Sequence, residues 1–553
     1  MSSEAQQQQQ TVCAAFQATV AERGDAVALR TRGDEVVLTW REYGARVRRV
    51  AAGLHALGLR RGDTLALMLT NRPEFHVVDA AAMHLGAVPF SIYNTSSPEQ
   101  VEFLLRDSGA RIAVIEEAFR DRVDTEQVIS VEELDSLPEG NLDFDAAWEA
   151  VRPQDLLTLI YTSGTTGDPK GVQLTHRNMR FTMGSYDAVL HFPHGGDVVS
   201  YLPMAHIAER NCSHYFPMRF GFTVTCCPDP REVVSYFPEV RPAWFFAVPR
   251  IFEKLKAAIE SGADERLAGV ISRGLAGALE EGDEAVLAGL HEKLGLDRIQ
   301  ALNVGAAPTP PEVIEFFHAI GQPLGELWGM SETTAIGACN PPERIKIGTV
   351  GPPVPGVEIR LADDGEVELR GPCVTPGYYK RQDMTRDTFS ADGWLQTGDI
   401  GAFDEDGYLS IVDRKKELII NAAGKNMSPA NIEAAIKSGS PLIGQACCIG
   451  DTRPYNTALM VLDADFAPQW AAHNGLEDKS LDELATEPKM IESVQAGIDA
   501  ANRRLARAEQ IKKFTIVPGD WAPGGDELTP TMKLKRRQIS AKYAAEIEAM
   551  YSG

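Results

Sequence analysis

Apolar and polar positions alternate along the first 120 residues with two different periods. Between Thr39 and Gly58 the apolar residues Val47, Ala51 and Leu54 recur three or four positions apart, which predicts an amphipathic helix that stops at the glycine. Short apolar runs of strand type flank an alanine-rich helical stretch: "DTLALML", "VPFSIY" and "RIAVIEE". Strands that alternate with helices predict a parallel sheet covered by helices on both faces.

The same alternation resumes after residue 153 and then changes character. The runs "LLTLIYT", "GFTVTCC" and "PAWFFAVP" predict further buried strands, and the charged region 250–300 predicts helices. From about 345 to 412, short strands separated by Gly and Asp turns predict a small antiparallel or barrel-like unit. The last segment, after "IVDRKKELII", mixes strands with helices and has the length of an independent small domain.

The bulk composition narrows the classes of partner. The 553 residues carry a formal net charge of −24, which disfavours nucleic acid and anionic membranes as main partners. Eight cysteines without a CxxC pair indicate reduced thiols and a cytoplasmic location. The start "MSSEAQQQQQ" is not of signal-peptide type, and no apolar run reaches the roughly 18 to 20 residues that span a bilayer. Peripheral membrane contact and a homodimer both stay open.

The stretch "YTSGTTGDPKG", residues 161–171, is the strongest local signal of chemistry. A loop rich in Gly, Ser and Thr after a buried strand offers backbone N–H groups and hydroxyls to phosphate oxygens, and Lys170 adds a positive charge. It does not match the P-loop of nucleotide hydrolases, because Pro169 stands where that pattern needs glycine. The alternative is a solvated surface loop.

This loop and six other segments together resemble the adenylate-forming superfamily, which contains acyl-CoA synthetases, beetle luciferases and the adenylation domains of peptide synthetases. The other segments occur in the superfamily's order: "LPMAHIAER" (202–210), "GAAP" (305–308), "ELWGMSETT" (326–334), "LQTGD" (395–399), "VDRKKELIINAAGKNMSP" (412–429) and "PTMKLKRR" (530–537). The first of these, with "YNTSSPEQVEFLLRDS" and "RPAWFFAVPRIFEKL", is most similar to long-chain fatty acyl-CoA synthetases.

The resemblance implies a fold and a division into domains. It implies an α/β protein in which a large N-terminal domain of two doubly wound sheets plus a small β-barrel precedes a small mobile α+β C-terminal domain. We expect a disordered tail over residues 1–12, an ATP- and acyl-binding domain over 13–414 and a mobile lid over 415–553. The hinge would lie at Lys416.

The implied reaction joins a carboxylate to the α-phosphate of ATP, releases pyrophosphate and then passes the acyl group to the thiol of coenzyme A. Two anions must meet, so cations have to offset their repulsion. Glu332 matches the superfamily's Mg²⁺ ligand, with Thr165 as a second candidate, and Ser331 stands where a threonine usually faces the α-phosphate. The resemblance assigns these residues to the departing phosphates: Thr162, Ser163, Gly164, Thr165, Thr166, Gly167 and Lys170.

The resemblance also assigns residues to the recognition of the nucleoside. Asp399 matches the acid that accepts both ribose hydroxyls, and Arg414 matches a ribose- or phosphate-contacting residue. Trp328 replaces the more usual tyrosine beside the adenine, where it can stack but lacks the phenol hydroxyl. Small residues and the segment after the tryptophan complete the expected site: Gly305, Ala306, Ala307, Gly329 and Met330.

Catalysis is expected to depend on the C-terminal segment. Lys533 matches the late lysine that bridges carboxylate and α-phosphate, and a point charge on a flexible stem suits such a transient contact. Its neighbours Lys535, Arg536 and Arg537 read as surface residues. Rotation about the hinge would then bring Gly424 and Lys425 to the path of coenzyme A, although a simple surface turn is the alternative for these two.

The acyl pocket and the acid itself are the least determined. His206 matches a position at the mouth of the pocket, and Trp244, Phe246 and Gly337 would line it, although "WFFAV" also fits a plain buried strand. The prediction is a ligase for medium- to long-chain fatty acids. The alternatives are an aryl- or short-chain acid:CoA ligase, a fatty acyl-AMP ligase that serves a carrier protein, or a degenerate non-catalytic binding protein.

Overall fold

The computed structural model of the chain describes residues 11–162, 169–420, 426–529 and 532–552. Parallel strands joined by helices make up most of the first 340 residues, antiparallel strands follow, and the last part mixes both. The predicted α/β class is therefore confirmed, with a large N-terminal and a smaller C-terminal domain.

The largest sheet of the N-terminal domain has six strands. In spatial order they are Gln127–Ser130, Ile112–Ile115, Thr64–Met68, Val88–Ser91, Leu156–Thr162 and Lys170–Thr175. All neighbours are parallel except the last pair, which forms a hairpin. Because the strands before the hairpin are buried on both faces, they read in sequence as unbroken apolar runs.

The second doubly wound sheet expected from the sequence is divided into two four-stranded sheets. One has the order Val37–Thr39, Val27–Thr31, Thr223–Cys226 and Asp197–Ser200; the other has Trp244–Ala247, Ala301–Val304, Leu324–Trp328 and Ala338–Cys339. The region expected to form a small barrel is a four-stranded antiparallel sheet of Glu358–Leu361, Glu366–Arg370, Leu395–Phe403 and Leu409–Arg414.

Helices of the N-terminal domain connect these strands and cover them. The α-helices of five or more residues are Val12–Glu22, Trp40–Ala56, Pro73–His84, Pro98–Ser108, Phe144–Glu149, His176–Leu190, Phe216–Phe220, Val233–Val240, Pro249–Gly262, Glu265–Leu275, Asp283–Leu294, Pro311–Ala319 and Gln382–Asp387. A π-helix spans Arg210–Tyr215, and two 3-10 helices span Glu117–Arg122 and Val131–Ser136. A short helical turn, Ile207–Glu209, precedes the π-helix.

The helix Trp40–Ala56 shows how the pattern becomes structure. Thr39 caps it reciprocally: its hydroxyl accepts from the backbone N–H of Glu42, whose carboxylate accepts from the Thr39 N–H at 2.8 Å. The predicted apolar residues Val47 and Leu54 are fully buried, and the chain leaves the helix through Gly58 at φ +96°. That conformation suits a residue without a Cβ atom.

The first described residues differ from the expectation of a disordered tail over residues 1–12. Residues 1–10 of the predicted tail lie outside the described residues, but Thr11 and Val12 belong to folded structure. The Thr11 hydroxyl accepts from the backbone N–H of Ala14, and Val12 begins a helix whose first two side chains are buried. The glutamine run therefore ends at a capping residue, which satisfies the first N–H groups of the helix.

The C-terminal domain has apolar cores of its own. Its two buried clusters contain residues between Ile419 and Met550, whereas the clusters of the N-terminal domain contain residues between Val12 and Leu409. Its strands are Ile419–Ile420, Asn426–Met427, Ile443–Ile449, Asn456–Leu462 and Ile511–Ile516. Its helices are Pro429–Gly439, Phe466–His473, Leu481–Leu484, Pro488–Arg504, Arg536–Lys542 and Ala544–Tyr551.

Among the residues that the structure describes, no helix has both the length and the apolar character needed to cross a bilayer.

Candidate active site

A cleft of about 2160 Å³ receives side chains from both domains. It collects most of the residues predicted from the sequence, although these come from segments spread over more than 350 positions. Those that line it are Thr162, Lys170, His206, Trp244, Phe246, Gly305, Ala306, Ala307, Trp328, Gly329, Met330, Ser331, Glu332, Asp399, Arg414, Lys416 and Lys533.

Two neighbouring parallel strands end at this cleft. Ala301–Val304 leads directly into Gly305, and Leu324–Trp328 leads into Gly329, so both loops leave the same carboxyl edge of one sheet. Ligands of α/β proteins bind at such edges. A Cβ atom on Gly329 would lie 2.5 Å from backbone atoms of Ala335 and Ile336, so this loop can fold back only because the residue is glycine.

The predicted phosphate loop is held by a hairpin. Thr162 pairs with Lys170 in the antiparallel register of the two strands that flank the loop. Residues 163–168, which include Ser163, Gly164, Thr165, Thr166 and Gly167, lie outside the described residues. Both ends of the loop therefore reach the cleft, and the assignment of the loop itself stays a prediction.

Tyr378 links the hairpin to the predicted metal ligand. Its hydroxyl donates to Oε1 of Glu332 at 2.8 Å, and the ammonium of Lys170 lies 5.1 Å from the centre of its ring. Glu332 is nearly buried, and its backbone carbonyl accepts from the N–H of Thr375 at 2.7 Å. The sequence analysis missed Tyr378, because its role depends on a contact across 46 positions.

The residues around Glu332 fit a magnesium ion that is bound together with phosphate. Tyr378 uses one of the four or so acceptor positions of the carboxylate, which leaves capacity for a cation. Within the described ranges no three His, Cys, Asp or Glu side chains gather into a metal site. A single hard oxygen ligand suits Mg²⁺, which commonly takes its remaining ligands from phosphates and water.

Asp399 is held on both of its oxygens. Arg414 Nε lies 2.8 Å from Oδ1, and the indole Nε1 of Trp328 donates to Oδ2 at 2.8 Å. Asp399 and Arg414 are direct partners in the antiparallel sheet, so the backbone fixes one of these contacts. The tryptophan that replaces the usual tyrosine therefore does form a hydrogen bond, to the predicted ribose acid.

Lys533 reaches the same cleft from the C-terminal domain. Its backbone N–H donates to the hydroxyl of Thr529 at 3.0 Å, and the preceding Met532 has φ +64°. The ammonium keeps contact with the solvent of the cleft, but the protein packed around it, together with the charge of Arg414, lowers its pKa below the ordinary lysine value. Asp399 and Glu332 oppose that shift.

His206 is a neutral donor at the mouth of the cleft. Burial, with a further contribution from the charge of Lys533, lowers the pKa of the imidazole to about 4. Its Nδ1 accepts from the backbone N–H of Ala208 at 3.1 Å, so the proton of the neutral ring is on Nε2. The residue can therefore donate a hydrogen bond to an oxygen but is a poor general base at neutral pH.

Two buried charged residues hold the segment that carries His206. Glu209 accepts from the backbone N–H groups of Tyr201 and Leu202, each at 3.0 Å. Arg210 donates to the Met204 carbonyl at 3.0 Å and pairs with Asp79 at 2.6 Å. These roles were not predicted from the sequence, although the two residues lie three and four positions after His206 within "PMAHIAER".

The predicted acyl-pocket residues separate in the structure. Trp244 and Phe246 line the cleft, and the Trp244 indole stacks on Phe216 with ring centres 5.7 Å apart. Gly337 does not reach the cleft lining. It packs behind Trp328 instead, where a Cβ atom would lie 2.5 Å from the indole Cζ3. The acyl-pocket role of Gly337 stays a prediction.

The hinge at Lys416 stays a prediction, and the structure describes only part of the region around it. Lys416 is exposed in the turn between the last strand of the N-terminal domain and the first strand of the C-terminal domain; Gly424 and Lys425 lie outside the described residues. Arg536, expected at the surface, is partly buried and pairs with Glu433 at 2.5 Å and with Glu417 at 3.3 Å. These ion pairs connect the segment after Lys533 to the residue next to Lys416.

Comparisons with known proteins match both domains. A family model described as AMP-binding enzyme matches residues 16–379, and one described as AMP-binding enzyme C-terminal domain matches residues 416–553. The putative fatty-acid–CoA ligase fadD11 of Mycobacterium tuberculosis is 47% identical over 74% of this chain and 76% of its own length. The long-chain-fatty-acid–CoA ligase FadD15 of Mycobacterium bovis is 35% identical over 93% and 92%.

Solved structures share the fold over nearly the whole chain. The o-succinylbenzoate CoA synthetase MenE of Bacillus subtilis, in complex with an acyl-adenylate, superposes with a TM-score of 0.73 over 96% of this chain and 98% of its own, at 24% identity. The A-PCP didomain of the carboxylic acid reductase of Segniliparus rugosus gives 0.77 over 98% and 82%, at 22% identity.

Proposed function

We propose that this chain, which belongs to the AMP-binding enzyme family, is an ATP-dependent fatty acid–CoA ligase that forms acyl-CoA, AMP and pyrophosphate through an acyl-adenylate. The observation that carries the proposal is the position of Lys533, which comes from the C-terminal domain yet lines one cleft with Glu332, Asp399 and His206. The relatives named as fatty-acid–CoA ligases support the choice of acid and of acceptor.

In the first half-reaction a carboxylate oxygen of the fatty acid attacks the α-phosphorus of ATP, and the bond to the β-phosphate breaks. Lys533 would lie between the two anions and offset their repulsion, which is greatest as they approach. Glu332 would hold Mg²⁺, which neutralises charge on the departing pyrophosphate. Thr162, Lys170 and the loop between them would hold the β- and γ-phosphates.

The acid would enter past His206 toward the aromatic residues Trp244 and Phe246. These side chains and the buried apolar residues around them suit an alkyl chain, since its burial is driven by the loss of apolar surface from water. The neutral His206 would donate its Nε2 proton to a carboxylate or acyl oxygen. Medium- to long-chain acids are the substrates that this arrangement favours.

The second half-reaction requires another orientation of the C-terminal domain. The thiol of coenzyme A attacks the acyl carbonyl, AMP leaves, and the thiol proton passes to solvent. Rotation of residues 415–553 about Lys416, against a domain of residues 13–414, would withdraw Lys533 and bring the segment of Gly424 and Lys425 to the cleft. The separate apolar cores of the two domains are compatible with such a rigid-body motion.

The enzyme would work in the cytoplasm on small-molecule substrates. In the described structure all eight cysteines are free thiols, seven of them buried and Cys212 partly so, which is compatible with a reducing compartment. A homodimer remains part of the proposal.

The proposal is tested by following pyrophosphate release and thioester formation over acids from C2 to C20 and aromatic acids. We expect the fastest turnover with medium- or long-chain acids, and multiple turnovers only when coenzyme A is present. An acid-independent release of pyrophosphate, or acyl-adenylate that accumulates unchanged with coenzyme A, would contradict the assignment. The Lys533→Met variant is the control for background hydrolysis.

A further inference from the structure

The indole of Trp328 and the carboxylate of Asp399 form a nearly buried pair in the nucleotide half of the cleft. The two side chains are 8% and 6% exposed, and the Nε1 to Oδ2 distance is 2.8 Å. From this contact we infer that Trp328 is a positioning residue that fixes Asp399 for the ribose hydroxyls of ATP. The inference rests on the proposed function, because it takes ATP as the ligand.

An ion pair on one oxygen and a hydrogen bond on the other restrain rotation of the carboxylate. Arg414 holds Oδ1 from the neighbouring strand, and Trp328 holds Oδ2 from a different sheet. A carboxylate with only one anchored oxygen can still turn about its last side-chain bond, whereas one anchored on both oxygens cannot. Each oxygen also keeps a second acceptor position, so both ribose hydroxyls can still donate to Asp399.

The backbone around Trp328 is shaped for an indole. A Cβ atom at Gly337 would lie 2.5 Å from Cζ3 and 2.6 Å from Cε3 of the ring, so the six-membered part of the indole occupies the space that a side chain would need. A phenylalanine would keep an aromatic face for the base but has no N–H group. The contribution of Trp328 to the position of Asp399 is therefore separable from stacking.

Two roles of Trp328 predict different results with nucleotides that lack the ribose hydroxyls. If the indole only stacks on the base or fills space, its loss weakens ATP and 2′,3′-dideoxy-ATP by the same factor. If the indole positions Asp399, its loss weakens the binding of ATP much more than that of the dideoxy analogue, because only ATP has the hydroxyls that donate to the carboxylate. The ratio of the two dissociation constants is therefore the informative quantity, and it does not depend on turnover.

The experiment measures both dissociation constants by calorimetry for the wild type, W328F, D399A and the matched control W244F. Trp244 also lines the cleft, but its indole N–H donates to Asn303 at 2.9 Å. We expect the wild type to bind ATP more tightly than the dideoxy analogue. In W328F the dissociation constant of ATP should rise about tenfold and that of the dideoxy analogue less than about twofold. In W244F the ratio of the two dissociation constants should stay at its wild-type value. D399A should lose the preference entirely.

A second replacement guards against misfolding of W328F. Benzothienylalanine at position 328 keeps the bicyclic shape and replaces the N–H group with sulfur, so it should give the same collapse of the ratio. An unchanged ratio in either variant, with ATP and its dideoxy analogue weakened equally, would overturn the inference but leave the proposed function intact. A wild-type protein that binds neither nucleotide would instead overturn the proposed function.

Discussion

The guanidinium of Arg250 forms an ion pair with the carboxylate of Asp463, which joins a helix of the N-terminal domain to the C-terminal domain. Lys254, one turn later, pairs with Asp465 at 2.5 Å, and Glu312 pairs with Arg504. All three pairs connect the two domains while Lys533 lies in the cleft. Rotation of the C-terminal domain would have to break them.

We therefore predict that the double variant Lys254→Met, Glu312→Gln favours the second half-reaction. Exposed ion pairs contribute roughly 0.2–1 kcal/mol each, so the rate of adenylation should fall by a few fold. The rate of thioester formation from supplied acyl-adenylate should stay the same or rise. Single-turnover measurements of both half-reactions at low and high salt provide the test.

The matched control for this variant is Lys256→Met. Lys256 lies on the same helix but pairs with Glu260 of that helix at 2.7 Å, so it does not connect the domains. Equal changes in both half-reactions, or the same change in the control, would mean that these interdomain pairs do not bias the orientation.

Replacement of Lys533 should separate the half-reactions more sharply. Lys533→Met removes the cation that the C-terminal domain is proposed to place between the two anions. We expect adenylation to fall by at least about a hundredfold, while supplied acyl-adenylate is still converted to thioester. Lys535→Met is the control, because that ammonium donates to the Gly525 carbonyl at 2.7 Å. Equal loss of both half-reactions in Lys533→Met would contradict the two-orientation scheme.

The rate of adenylation should fall at a lower alkaline pH than it would if Lys533 had the ordinary pKa of a lysine. The lowered pKa of Lys533 means that its ammonium loses a proton below the usual lysine range. The rate should fall as the pH rises through that value, because the neutral amine no longer offsets the two anions. A pH profile of single-turnover adenylation measures this, and a flat profile up to pH 11 would contradict it.

Tyr378→Phe should raise the Mg²⁺ concentration that adenylation requires. The change removes only the hydroxyl that donates to Glu332 at 2.8 Å, so the carboxylate becomes free to turn away from the phosphates. We expect the Mg²⁺ concentration for half-maximal adenylation to rise several fold with little change in thermal stability. The neighbouring Tyr379→Phe is the control, and an unchanged Mg²⁺ requirement would show that Tyr378 does not position Glu332.

Acid should destabilise the fold through buried histidines. Burial lowers the pKa of His84 to about 4 and that of His176 to about 3, whereas both have a pKa near 6.5 in the unfolded chain. Between those pH values the unfolded chain therefore binds more protons than the folded chain. Stability is therefore complete above about pH 6.5 and is lost as the pH falls toward 4. For His84 the loss is on the order of 3 kcal/mol.

Urea unfolding between pH 7 and pH 4 measures this slope. His84→Asn should flatten it, although the variant loses the contact of the ring with Gln17 and is less stable at pH 7. The exposed His191→Asn is the control for removal of an imidazole. A slope that is identical in the wild type and His84→Asn would contradict the assignment.

Local patterns in the sequence were sufficient for many of the elements. The run "LLTLIYT" is observed as the strand Leu156–Thr162, and the periodic stretch after Thr39 is observed as the helix Trp40–Ala56. These features depend on neighbours a few positions away, which a sequence displays directly. Gly305 and Gly329 were assigned to one site only through the resemblance to the superfamily, and the structure places the strands before them side by side in one sheet.

Contacts between distant segments could not be read in the same way. The contact of Gly337 with Trp328 was not anticipated, and Arg536, expected at the surface, is partly buried in ion pairs with Glu433 and Glu417. The Tyr378 contact with Glu332 was not anticipated at all.

The sequence by itself determined the order of strands and helices and the class of the fold, because periodicity, caps and turn residues are local properties; the segments expected to carry the chemistry followed from the resemblance to the superfamily. Only the tertiary structure decided that the Trp328 indole donates to Asp399 and that ion pairs connect the two domains while Lys533 lies in the cleft. Such contacts depend on how separate sheets and domains pack against each other, and the side chains that meet there are up to 213 positions apart.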